Sequence, residues 1–427
     1  MNNYLLKNGE IVLPGGEVVR RDLFLKDGKI GFSGEDDAEI IDCEGKIILP
    51  GIIDAHVHFR DPGHTNKEDF ESGSRAAVVG GITTVLDMPN NEPAIVDQAL
   101  LEMKRRLVVG RAYCNYGFYI GFNGKNFDEV EGSSAVAVKV YVANSTGDMG
   151  VSNESLEELF KQTSKLVVVH AEDEGIIEKN REKFKGETDP SVHSKIRSVE
   201  AEVKALKFVC ELAKKYEKRL HIAHLSSADG LKLVQNYRKW VTCEVAPHHL
   251  FLTVDDYGVL KNRLKVNPPV RGHEDAFALW LGIKHQKIDM VATDHAPHTL
   301  EEKDLGYIYV PAGVPEVETL LPMFLNMVND DGMSFGDLVR VLCEKPAEIF
   351  GLKGKGRIEE GMDGDVVVVD MELERKVGEL GYLSKCGWSP YHGSLFKGWP
   401  VKVFVGGELV ADDGKVVGEA RGREIIF

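Results

Sequence analysis

The chain has 427 residues, enough for one large core with a smaller appendage, and a composition of 43% hydrophobic and 28% charged residues excludes long disorder. A formal net charge of −16 gives an overall field that repels polyanions, so no nucleic acid and no acidic membrane surface is expected as a partner. An anionic small-molecule substrate would need local positive groups to overcome that field.

The chain opens without a basic stretch followed by an apolar run, and nowhere do roughly 18 apolar residues run together, which reads as a cytoplasmic protein. Six cysteines, Cys43, Cys114, Cys210, Cys243, Cys343 and Cys386, lie far apart with no Cys-x-x-Cys pair. They signal neither a disulfide framework nor a thiolate metal site and read as small buried hydrophobes.

In chain order, residues 1–50 alternate short β-type runs with Gly-containing turns such as Lys7-Asn8-Gly9 and Lys26-Asp27-Gly28. The middle section then alternates apolar, β-branched runs with helical patterns, the signature of a parallel sheet. Eight candidate strands fall at 52–58, 82–87, 112–120, 135–142, 166–170, 220–225, 241–246 and 289–294. Between them, amphipathic stretches occupy 96–108, 153–165, 198–218 and 273–286, the last three opening near Asn153, Ser198 and Gly272, while the Gly-rich 121–134 is the weakest helix. Residues 357–427 return to the texture of the start, with strands at 365–370 and 401–407. The expected fold is a (β/α)8 TIM-type barrel over 51–356, with a small composite β-sandwich domain built from 1–50 and 357–427.

The chemistry collects at strand ends. Ile52-Ile53-Asp54-Ala55-His56-Val57-His58 passes from an apolar run into two histidines two apart, a period that points both rings into the barrel mouth. Neutral imidazole suits zinc and related ions, and one ion can be shared by both rings. His170, His224 and Asp294 also follow β-type runs. A lone histidine at such a place is more often a hydrogen-bonded rim residue, but several at the catalytic face of one barrel are not. His221, three before His224, should face the other way and serve structure. Lys139, in the middle of Ala135-Val136-Ala137-Val138-Lys139-Val140-Tyr141-Val142, is hard to place without a function, the lesser alternative being a strand lysine that reaches solvent at the rim. Beside two divalent cations it would lose its proton, and the amine could take up carbon dioxide to give a bridging carbamate.

Together these segments resemble the amidohydrolase superfamily and, within it, the dihydroorotase family, over nearly the whole chain. The matching runs are His56-Val57-His58-Phe59-Arg60-Asp61-Pro62-Gly63, Asp87-Met88-Pro89-Asn90, Val169-His170-Ala171-Glu172, His224-Leu225-Ser226-Ser227, Val266-Asn267-Pro268-Pro269-Val270-Arg271 and Ala292-Thr293-Asp294-His295-Ala296-Pro297-His298. The resemblance implies two zinc ions: His56, His58 and Asp294 on one, His170 and His224 on the other, and carboxylated Lys139 bridging them. It implies a metal-bridged hydroxide with Asp294 as general acid and base, closing N-carbamoyl-L-aspartate to L-dihydroorotate.

Arg60, two residues beyond the second histidine, can reach the same mouth and fork onto the substrate carboxylate, the lesser alternative being a salt bridge to a neighbouring acid such as Asp61. Asn90, Asn267 and His298 match the family's substrate-contacting positions, and the Ala312-Gly313 pair matches the segment whose backbone contacts the ring. Residues 386–393, Cys386-Gly387-Trp388-Ser389-Pro390-Tyr391-His392-Gly393, are similar to the family's C-terminal tail and carry no assigned chemistry. Hydantoinase, dihydropyrimidinase and allantoinase share the metals and the ring chemistry, and an inactive scaffold subunit is the reading of another class. The scaffold reading expects lost metal histidines, and here the set is complete. A homodimer and an association with aspartate transcarbamoylase are the assemblies the resemblance allows.

Overall fold

The computed structural model describes residues 2–33, 37–142 and 149–426. The strand Ile52–Val57 pairs in parallel with Ile82–Asp87, which pairs with Asn115–Phe118. Val136 N–H donates to the Phe118 carbonyl at 2.9 Å and carries the sheet on to Val138–Tyr141. Val167–His170, Leu220–Ile222, Val241–Val245 and Met290–Val291 follow in order, all parallel. The ring closes where His58 N–H donates to the His295 carbonyl at 2.9 Å. This is the eight-stranded α/β barrel, with each expected strand present and most of them shorter; the last has two residues.

Alternation along the strands sorts their side chains. Val138, Val140, Val167, Val169, Leu220 and Ile222 face outward into the large core under the helices. Ala137, Val168, Ala223 and Ala292 meet Ile53, Ala55 and Leu86 inside, where Ala347, Ile349 and Phe350 plug the lower end. Lys139 and His170 therefore point inward by period two, one step above Ala137 and Val168. The first strand needs an extra device. Its ladder sets Asp54 against Val85 and Val57 against Asp87, so Ala55 and His56 together oppose Leu86. That bulge lets Ile53 and Ala55 fill the interior below while His56 and His58 face it above.

Helices begin where polar caps stand. Asp97 accepts from Leu100 N–H ahead of Gln98–Val108, Ser152 precedes Asn153–Gln162, and Ser198 precedes Val199–Lys215. The 121–134 connection keeps only the short helix Phe127–Gly132. Phe70–Val79, which the sequence reading lacks, is a helix of modest propensity with two serines and a glycine; an Asp69–Ser72 capping box starts it.

Beside the barrel, Val366–Lys376 lies antiparallel to Ile47–Pro50, pairing Val366 with Pro50 and Val369 with Ile47. Both chain ends thus enter one seven-stranded sheet. A four-stranded sheet from Tyr4–Lys7, Leu23–Lys26, Lys29–Gly31 and Glu39–Asp42 packs on it through Leu6, Leu23, Ile48, Val366, Val368 and Phe404. All six cysteines are free and buried, and among the described residues no helix is long and apolar enough to cross a membrane.

Candidate active site

At the C-terminal mouth of the barrel, His58 Nε2 lies 2.9 Å and His56 Nε2 3.3 Å from Asp294 Oδ1. These three ligating atoms sit within 4.8 Å of one another, a spacing suited to one metal ion. Beside them His170 Nδ1 faces His224 Nε2 at 3.0 Å, and Lys139 Nζ stands 3.5 Å from His56 Nε2. Burial lowers His58 to about 4 and also brings His170 and His224 below their ordinary value, so these rings are neutral, as metal ligands must be. Burial likewise brings Lys139 down to about 8.

What aims these rings is a set of carboxylates that the sequence reading missed. Glu244 accepts from His56 Nδ1, from His221 Nε2 at 3.1 Å and from His224 backbone N–H at 3.2 Å. Glu172 accepts from His170 Nε2 at 2.7 Å and is gripped by Arg197. Asn90 Oδ1 accepts from His58 Nδ1 at 2.6 Å. With those nitrogens occupied, His56 Nε2, His58 Nε2 and His170 Nδ1 turn their lone pairs to the cavity, and the His56, His58 and Asp294 donors fit a divalent cation. Glu244 had a signal: an acid within the strand Val241–Val245 is as anomalous as Lys139 in its own strand.

His221 corrects an expectation. It points inward too, joined to Glu244 and to Thr242 Oγ1 at 2.8 Å, one layer beneath the mouth. The strand stops at Ile222, and His224 takes a left-handed φ of 36°, so the alternation that would separate the two rings is broken. Arg60 and Asp294 are left-handed as well, at φ 60° and 51°. Three strained non-glycine residues thus gather at one site.

Arg60 is buried and makes no salt bridge to Asp61, which pairs instead with Arg111 at 2.9 Å. Its polar contacts are the Pro297 carbonyl at 3.4 Å and His298 Nε2 at 3.2 Å. Asn90 Nδ2 is buried and unpartnered among the described residues. A fully buried ion pair pins both: Asp87 accepts from Phe59 N–H at 2.7 Å and from Lys104, which also donates to the Met88 carbonyl at 3.2 Å and Asn91 Oδ1 at 2.7 Å. Asn267 Oδ1 accepts from His193 Nε2 at 2.8 Å. Lys303 donates to the carbonyls of Lys265, Pro311 and Gly313 and staples the loop carrying Ala312 and Gly313. Gly313 N–H is itself donated to Lys265, so a ring contact from that pair falls to Ala312. The tail acquires a role: Trp388 Nε1–H donates to the His298 carbonyl at 2.8 Å.

All twelve residues expected at the site line one cavity of about 460 Å³. Arg181 and Lys265 add positive charge to its wall, as an anionic substrate requires of a chain at −16, while the charge of Arg197 is met by Glu172. Tyr141, His193 and Tyr307 also line it.

Residues 47–410 match the model of the amidohydrolase family, and the chain belongs to that family. Within it, the chain is 39% identical to the dihydroorotase of Pyrococcus furiosus, over 94% of this chain and 91% of that one. It is 40% identical to the dihydroorotase of Pyrococcus horikoshii, over 90% and 85%. Among solved structures it is similar to an L-hydantoinase (dihydropyrimidinase) from Arthrobacter aurescens, with a TM-score of 0.95 and 32% identity over the whole of both chains. A dihydropyrimidinase from Brevibacillus agri gives a TM-score of 0.91 at 26% identity, over 99% of this chain and 98% of that one.

Proposed function

We propose that this amidohydrolase is a zinc-dependent cytoplasmic dihydroorotase, closing N-carbamoyl-L-aspartate to L-dihydroorotate and water, reversibly, in pyrimidine biosynthesis. The observation that carries this reading is Arg60, a buried guanidinium beside the histidine cluster with no carboxylate partner among the described residues. A buried cation without an anion is costly, and the carboxylate that dihydroorotate bears outside its ring would supply one.

Two zinc ions, when bound, supply Lewis acidity at the scissile carbonyl and a water of lowered pKa. His56, His58 and Asp294 would hold one and His170 and His224 the other. Lys139, its amine brought to about 8 by burial, would add carbon dioxide, release a proton and hold both as a carbamate. Asp294 takes a proton from the attacking water and delivers it to the departing ring nitrogen; in ring closure it takes the ureido proton and hands it to the leaving oxygen. Arg60, Asn90 Nδ2 and His298 hold the carboxylate, and Asn267 with the Ala312-Gly313 loop confines the ring. The division at residues 50 and 356, a homodimer and an association with aspartate transcarbamoylase belong to the same proposal.

Hydantoinase activity is the second reading, favoured by the backbone likeness to the Arthrobacter enzyme. Its substrate rings carry no carboxylate, which would leave Arg60 unpaired. A turnover panel of dihydroorotate, hydantoin, dihydrouracil and allantoin, with zinc quantified on the same sample, separates the readings. Dihydroorotate is the expected substrate; comparable turnover of hydantoin would overturn the assignment.

A further inference from the structure

Tyr141 ends the strand Val138–Tyr141 and, two positions beyond Lys139, shares its inward face. Its ring forms part of the cavity wall, with the centroid 5.3 Å from Lys139 Nζ and 6.1 Å from that of His170. The side chain is 4% exposed, and its hydroxyl has no hydrogen-bond partner among the described residues. Buried hydroxyls are normally satisfied, as Tyr119 shows by donating to the Ala55 carbonyl at 2.7 Å. An orphan at a ligand cavity is explained when the ligand completes it.

Asp294 and Arg60 line the same cavity as this ring, so the hydroxyl shares the space that the acid–base carboxylate and the carboxylate clamp enclose. Of the groups that a cyclic amide would meet there, the substrate carboxylate already has Arg60, Asn90 Nδ2 and His298. The scissile carbonyl has no side-chain donor assigned to it: the four histidines are turned to one another and to Asp294, and an ionised Asp294 only accepts.

We propose that Tyr141 is a catalytic hydrogen-bond donor, its hydroxyl directed at the oxygen of the scissile carbonyl as that oxygen takes up negative charge. The proton stays on the phenol throughout, so the step stabilises charge without moving a proton. The proposal rests on the cyclic-amide chemistry inferred above and deepens it by one residue.

Tyr141→Phe removes only the hydroxyl. In the zinc-loaded enzyme kcat should fall about 100-fold with KM for dihydroorotate within about twofold and the zinc content unchanged. The melting temperature, measured both zinc-loaded and zinc-stripped, should stay level or rise, because the deleted oxygen has no partner in the chain to lose. Unchanged kcat, a loss confined to KM, or a lowered melting temperature would each overturn the proposal. Should the unsubstituted enzyme open hydantoin and leave dihydroorotate untouched, the dihydroorotase reading fails by itself, and the same kcat loss is read on hydantoin.

Discussion

The cavity has two walls of different construction. On one, His56, His170, Lys139 and Tyr141 stand on barrel strands, with His58, His224 and Asp294 one to three residues past strand ends, and Glu244 and Glu172 aim the His56 and His170 rings. On the other, Arg60, Asn90, Asn267, His298 and the Ala312-Gly313 pair sit on loops, held by the Asp87–Lys104 pair, His193, Trp388 and Lys303. The first wall offers the chemistry a cyclic amide needs, whatever its substituents. Under the proposed function the second would decide which ring is admitted, which is how relatives can share backbone and reaction while differing in substrate.

That contrast can be broken most forcefully at Asp294. Asp294→Asn should lower kcat by about 10³- to 10⁴-fold on every ring the enzyme opens, as steady-state assays will read; a substrate-dependent loss would blur the two walls. Arg60→Met should come next, costing about 3–4 kcal/mol, or roughly 10²- to 10³-fold, in kcat/KM for dihydroorotate, with zinc retained by elemental analysis. If the same variant lost its zinc, the loop wall would not be separable from the strand wall. The smallest change sharpens the first wall alone: Glu244→Gln weakens the acceptor for His56 Nδ1, so competitive zinc titration should show about a tenfold loss of affinity with KM little changed.

Much of the strand wall was readable in advance because a β-strand repeats every two residues. Once Val138, Val140, Val167 and Val169 are outward, Lys139 and His170 have one direction left. The loop wall was reachable only through the family likeness, since no period links Arg60 to His298 across 238 residues. The His221 expectation failed because periodicity ends where the strand ends, and neither the bulge at Ala55–His56 nor the left-handed backbone at His224 leaves a mark in composition. Glu244 escaped because its role, orienting a ring 188 residues away, exists only after closure of the barrel.

The sheet shared by both chain ends imposes an order in time. Ile47–Pro50 has Glu10–Val12 on one edge as soon as it leaves the ribosome, but its other neighbour, Val366–Lys376, is translated more than three hundred residues later. At about 5–20 residues per second that edge stays open for roughly 15–60 s, directly ahead of the strand bearing His56. An unpaired edge invites pairing with another chain, so nascent copies crowded on one messenger carry their greatest risk of mispairing there, and the last strands translated remove it.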